Sequence, residues 1–151
     1  MKNVVFNDIN VGDKATYIKT VTQQDIAAFA GASGDTNPVH LSEEFAKSTQ
    51  FGGIIAHGML TASFISTVLG TQFPGSGSIF LGLNNLKFLE AVRPGDTITT
   101  TVTVTEKHPT KPVVKFSCEC VNQHGKKVIT AEAVVLAPTK SAGAQPQPVK
   151  V

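Results

Sequence analysis

The chain has 151 residues, of which 41% are hydrophobic and 16% charged, and a formal charge of +2 from 13 Lys plus Arg against 11 Asp plus Glu. This is material for one domain with one real core, leaving no room for a second full domain. No basic run is present, which sets nucleic acid aside as a partner because phosphate binding needs clustered Lys and Arg.

In chain order, the opening "MKNVVFNDINVGD" lacks the apolar core of a signal peptide, and no stretch approaches the roughly 18 apolar residues of a membrane helix. A soluble, cytoplasmic protein with no membrane partner is expected. A strand is expected over "DKATYIK". Thr22 followed by Asp25 in "TQQD" has the form of a capping box, and the apolar stripe Ile26, Phe29 and Ala30 predicts a short helix that stops at Gly31.

The next stretch, "GASGDTNPVHLSEEFA", crowds an Asp, an Asn-Pro pair and a His between helical segments. Pro38 locks its own φ and pushes Asn37 out of the α region, so the loop from Asp35 to His40 has little freedom and can hold two side chains in register. Asp, Asn and Pro are equally what ordinary turns are made of, and the loop alone does not decide between the two. Ser42 can cap a second short helix through "EEFAKS".

In "HGMLTASFISTVLG", the residues Met59, Leu60, Ala62, Phe64, Ile65, Val68 and Leu69 lie on nearly all sides of a helix. The pattern predicts a buried helix from Met59 to Leu69, roughly 16 Å long, with Gly70 as its C-terminal cap. Gly58 stands at its mouth, where a backbone N–H has no intrahelical acceptor and the helix dipole adds partial positive charge. An oxygen that gains negative charge during a reaction would be stabilised there, and glycine allows the closest approach. Against this, Gly58 can merely start the helix, and His57 can be a packed or solvent-facing ring.

From residue 78 the period changes to two. Ile98, Thr100, Val102 and Val104 alternate with threonines; Val114, Phe116, Cys118 and Cys120 follow; after the turn "NQHGKK" come Ile129, Ala131, Ala133 and Val135. With "SIFLGLNNLKFLEAV" and the turn "RPGD" before them, at least five antiparallel strands with one buried face are expected, curved around the central helix in an α+β plan. The two cysteines share a strand face and read as reduced core thiols; nothing completes a tetrahedral set around them, so no metal is expected. The domain should cover residues 1–138, with the Pro-, Gly- and Gln-rich tail 139–151 disordered.

Taken together, "GDTNPVHLSEEFAKSTQFGGIIAHGML", "ASFIS", "PGSGSIFLG" and "LKFLEAVRPGD" closely resemble the MaoC-like (R)-specific enoyl-CoA hydratases, which have a hot-dog fold. The resemblance covers nearly all of the chain to about Pro138. It implies that Asp35 and His40 are the catalytic pair, that Gly58 donates the oxyanion-hole N–H, and that Asn37 and Ser66 are supporting polar residues. It also implies an acyl-CoA thioester as substrate, no cofactor, and a homodimer with the substrate near the subunit boundary.

The chemistry of the residues agrees. Hydrating a 2-enoyl thioester needs a group that takes a proton from water attacking C3, a proton for C2, and stabilisation of the enolate-like oxygen; Asp35, His40 and Gly58 can supply these. The rivals are a 3-hydroxyacyl-[acyl carrier protein] dehydratase, a hot-dog thioesterase and a non-catalytic acyl-binding protein. The Asp and His on one stiff loop ahead of the central helix argue against a thioesterase, and the cost of desolvating both argues against mere binding. A curved sheet with an open edge also points to pairing with a second copy.

Overall fold

In the computed structural model, which describes residues 2–143, every segment of period two forms a strand. These are β1 (Lys14–Thr20), β2 (Ile79–Phe88), β3 (Thr97–Lys107), β4 (Val113–Val121) and β5 (Lys127–Leu136). They make one curved antiparallel sheet in the order β1-β3-β4-β5-β2, so β1 and β2 are its edges.

The threonine alternation sets which face is dry. Ile98, Thr100, Val102 and Val104 are all buried, and across the ladder Thr100, Val102 and Val104 face Cys120, Cys118 and Phe116. Thr100, the polar member of the row, places Oγ1 3.3 Å from Cys120 Sγ, which satisfies a hydroxyl that would otherwise be costly to bury. Both cysteines are free. Burial pushes the Cys118 thiol up to about 12 and the Cys120 thiol up to about 11, so both stay protonated and behave as small apolar residues.

Between β1 and β2 run α1 (Gln23–Ser33), α2 (Pro38–Leu41), α3 (Glu43–Lys47) and α4 (Gly58–Thr71). The capping box is present: Thr22 Oγ1 accepts from the Asp25 N–H and the Thr22 N–H donates to Asp25. Ser42 caps α3 by accepting from the Phe45 N–H. However, α1 does not stop at Gly31. It runs on to Ser33, and Gly34, with φ +80°, is the left-handed residue that ends it.

The central helix departs from expectation in two ways. Gly70 lies inside α4 rather than capping it; the chain leaves at Gln72, and the Gln72 and Phe73 N–H groups both donate to the Val68 carbonyl. Nor is α4 buried on all sides of one chain. Leu60, Phe64, Ile65, Val68 and Leu69 are buried against the sheet, with Phe64 edge-on to Tyr17 of β1 at 5.9 Å. Met59, Ser63, Ser66 and Gly70 are exposed, and their spacing makes them one stripe. Ser63 and Ser66, which interrupt the apolar pattern, belong to this stripe, whereas Thr61 is buried.

Among the described residues no helix is long and apolar enough to cross a membrane. Of the tail, 144–151 lies outside the described residues, whereas the Asn3 side chain accepts from the Ala142 N–H and donates to the carbonyls of Lys140 and Ser76. The same N-terminal strap crosses the turn after α4: the Val4 N–H donates to Pro74 and the Ser76 N–H to Lys2. Gly75 is pinned there with φ +88°, and a Cβ on it would run into the Lys2 carbonyl oxygen. Gly75→Ala should therefore destabilise the fold by at least about 1–2 kcal/mol, the cost of a left-handed non-glycine residue. For a chain of this size the thermal midpoint should fall by roughly 2–4 °C per kcal/mol in a melting experiment, and an unchanged midpoint would contradict the strap.

Candidate active site

The loop after α1 is built from local rules. Gly34 turns the chain; the Asn37 N–H donates to Asp35 Oδ1 at 3.2 Å; and Asn37 Oδ1 in turn accepts from the Val39 N–H, capping α2 with Pro38 in its first turn. Asn37 is thus a structural cap on an exposed bend. His40 sits in the last turn of α2 and is half-buried.

The second part of the site is the irregular segment 54–57, which leads into α4. The Ala56 N–H donates to the Val92 carbonyl at 2.7 Å, fixing this segment beside the chain that follows β2. Two bonds then join it to the loop. His40 Nδ1 lies 2.7 Å from the Ile55 carbonyl, and His57 Nε2 lies 2.9 Å from the Asp35 carbonyl. A carbonyl oxygen only accepts, so each of these nitrogens carries the proton, and the unbonded nitrogens are His40 Nε2 and His57 Nδ1. The two rings stack, with centroids 3.9 Å apart and planes 28° apart.

Asp35, His40, His57 and Gly58 converge on one cavity of about 390 Å³, within the usual range for a small-molecule site. Phe51, Ile55, Met59, Phe88, Leu89, Val128 and Ile129 supply its apolar wall. Ligand atoms of Asp35, His40 and His57 all lie within 4.8 Å of one another, so carboxylate and imidazole can act on the same small molecule. The trio does not suit a tetrahedral metal site. A metal must lie near the plane of each imidazole at about 2 Å, and two stacked rings have planes that meet only far outside that range.

Gly58 is the first residue of α4, where its N–H has no intrahelical acceptor. The reason for glycine is steric as well: a Cβ there would lie 2.6 Å from Phe88 Cε1, because the Phe88 ring of β2 covers the helix mouth. Asp35 is exposed in the single chain, so the desolvation expected of it is not met there. Ser66 lies two turns beyond Gly58 on the exposed stripe of α4 and does not line this cavity.

Three contributors were not singled out as site residues from sequence. Phe88 closes the helix mouth, and His57 and Thr61 line the cavity while 2% and 1% exposed. Among the described residues neither His57 Nδ1 nor Thr61 Oγ1 has a hydrogen-bond partner, although both atoms are buried. The signal was a His at the N-cap with Thr four residues on, which places both at the same end of one helix face.

Residues 9–133 match the model of the MaoC like domain family. An (R)-specific enoyl-CoA hydratase of Rhodospirillum rubrum is 50% identical over 135 residues, which is 89% of this chain and 92% of that protein. Among solved structures, an unliganded R-hydratase from Pseudomonas aeruginosa superposes with a TM-score of 0.87 at 38% identity, covering 99% of this chain and 97% of the other. The (R)-hydratase from A. caviae involved in PHA biosynthesis gives 0.83 at 43% identity over 86% and 98%. With its sheet order, its central helix and these likenesses across almost the whole length, the chain belongs to the MaoC-like family of the hot-dog fold.

Proposed function

We propose that the chain is an (R)-specific enoyl-CoA hydratase, a hydro-lyase that adds water reversibly to a trans-2-enoyl-CoA to give the (R)-3-hydroxyacyl-CoA. The observation that carries this reading is the placing of the Asp35 carboxylate and the His40 ring within 4.8 Å of each other, in a cavity that the N-terminus of α4 also borders. The thioester oxygen accepts from the Gly58 N–H, drawing electrons from the C2–C3 double bond, and the apolar wall takes the acyl chain. Water held between Asp35 and His40 loses a proton as its oxygen bonds to C3, and a proton is returned to C2 from the same side. That gives syn addition; the (R) face follows from the relatives.

The test is to mix the protein with crotonyl-CoA and follow the enoyl absorbance. Loss of absorbance with the thioester intact, and a product resistant to a dehydrogenase that accepts only the (S) isomer, is the expected result; free thiol would mean a thioesterase, and no change would move the reading to a carrier-protein substrate or to binding alone. Asp35→Asn keeps the side chain's size and should lower turnover by about 10² to 10⁴. A folded Asp35→Asn variant with normal turnover would remove Asp35 from the mechanism.

Gly58→Ala probes the helix mouth separately. Phe88 is half-exposed and can swing aside, so the variant should fold normally, but the displaced ring and shifted backbone should reduce kcat/KM about 10-fold or more, as small misplacements in a reacting site do. Unchanged kcat/KM would show that the substrate does not need the close approach that glycine allows at the helix mouth.

Assembly as a homodimer is supported by the uncovered surfaces. The two edges differ: β1 carries Lys14 and Lys19, whereas β2 has no charge from Ile79 to Leu86 and exposes Ile79 and Leu81, both at 54%. An apolar edge without charged guards invites pairing with a second copy. The protein should sediment at twice the mass of one chain, and Leu81→Lys should shift it toward monomer; a fully active monomer at micromolar concentration would defeat this.

A further inference from the structure

We propose that His57 is a positioning residue that fixes Asp35 and His40 relative to each other; this deepens the hydratase reading and rests on it. One buried ring touches both members of the pair in different ways. Its edge, Nε2–H, holds the Asp35 carbonyl at 2.9 Å, and its face lies on the His40 ring with centroids 3.9 Å apart. Phe29 of α1 closes the ring in, with centroids 4.8 Å apart, so the ring is held by the helix on either side of the loop as well as by its own place at the N-cap of α4.

Asp35 itself needs such a hold. It is exposed, and the bonds that shape its turn come from Ser33 and Asn37 of the same bend, which set the local conformation but not its distance from α4. His57 supplies a link across 22 residues to the element that carries Gly58. Apolar packing alone would be served by Leu or Phe at this buried position. The edge bond requires an N–H donor, and the stack requires a flat ring, a combination that imidazole meets.

The test separates edge from face. His57→Phe keeps a flat ring and loses the N–H; His57→Gln keeps an N–H donor near the Nε2 position and loses the ring. Both should melt close to the parent. His57→Phe should lower kcat about 10- to 100-fold, the usual effect of removing a group that orients a reacting one, with KM within about threefold. His57→Gln should recover a large part of that loss. In an Asp35→Asn background His57→Phe should cost less than about threefold, because residues that act as a unit do not add.

The same loss in both backgrounds, Gln no better than Phe, or a rise in KM with kcat intact would each overturn the proposal. Should His57→Phe fail to fold, His57→Gln decides alone: KM unchanged with kcat reduced less than about 10-fold supports it, and kcat reduced as far as in Asp35→Asn overturns it. Failure of the parent protein to hydrate crotonyl-CoA would count against the hydratase reading instead.

Discussion

Two hydrogen bonds running in opposite directions hold the site together. The loop gives the ring of His40 to the carbonyl of Ile55, and the segment before α4 gives the ring of His57 to the carbonyl of Asp35. Each partner therefore contributes one donor ring and one acceptor carbonyl, and neither can move without leaving a polar group unpaired, at about 1–3 kcal/mol for a buried one. The arrangement also settles which nitrogens remain free. His40 Nε2 and His57 Nδ1 are the nitrogens not bonded to a carbonyl, so the orientation of both rings follows from backbone carbonyls rather than from a ligand.

The parts of the fold that were legible from sequence are those with short-range causes. The alternation from Ile98 to Val104 could only bury one face, and the bend from Gly34 to His40 is written by residues that bond to their own neighbours. Helix ends were less legible because a glycine stops a helix only where the chain needs a left-handed residue. Gly34 does so to let Asp35 turn, whereas Gly31 and Gly70 stay helical and exposed. After Gly70 the chain folds back so that Phe73 and Gly75 bond to the carbonyls of Val68 and Leu69, which no local pattern announces. The stack of His57 on His40 and the cover of Phe88 over Gly58 join residues far apart in sequence, so they needed the fold to be seen.

Burial and chemistry are divided between the two halves of the site. His57 and Thr61 are held deep by α4, while Asp35 and Asn37 stand on an exposed bend and His40 lies between. A carboxylate left in contact with water avoids the several kcal/mol that full desolvation of an ion costs. The apolar wall lines the same cavity, so an acyl chain seated against it would shield the carboxylate from water only once substrate is bound.

The family resemblance gives Ser66 a supporting role, yet in one chain it is exposed on α4 with Ser63 and Gly70 and does not line the cavity, whereas Met59, at the head of the same stripe, does. Small residues on an exposed helix face contribute little to a core, but they let another backbone or a flat ligand approach closely. The unguarded edge of β2 is exposed in the same chain. The loop carrying Asp35 and His40 is complete within the single chain, so whether Ser66 takes any part near substrate turns on what covers this exposed stripe, whereas the placing of the pair does not.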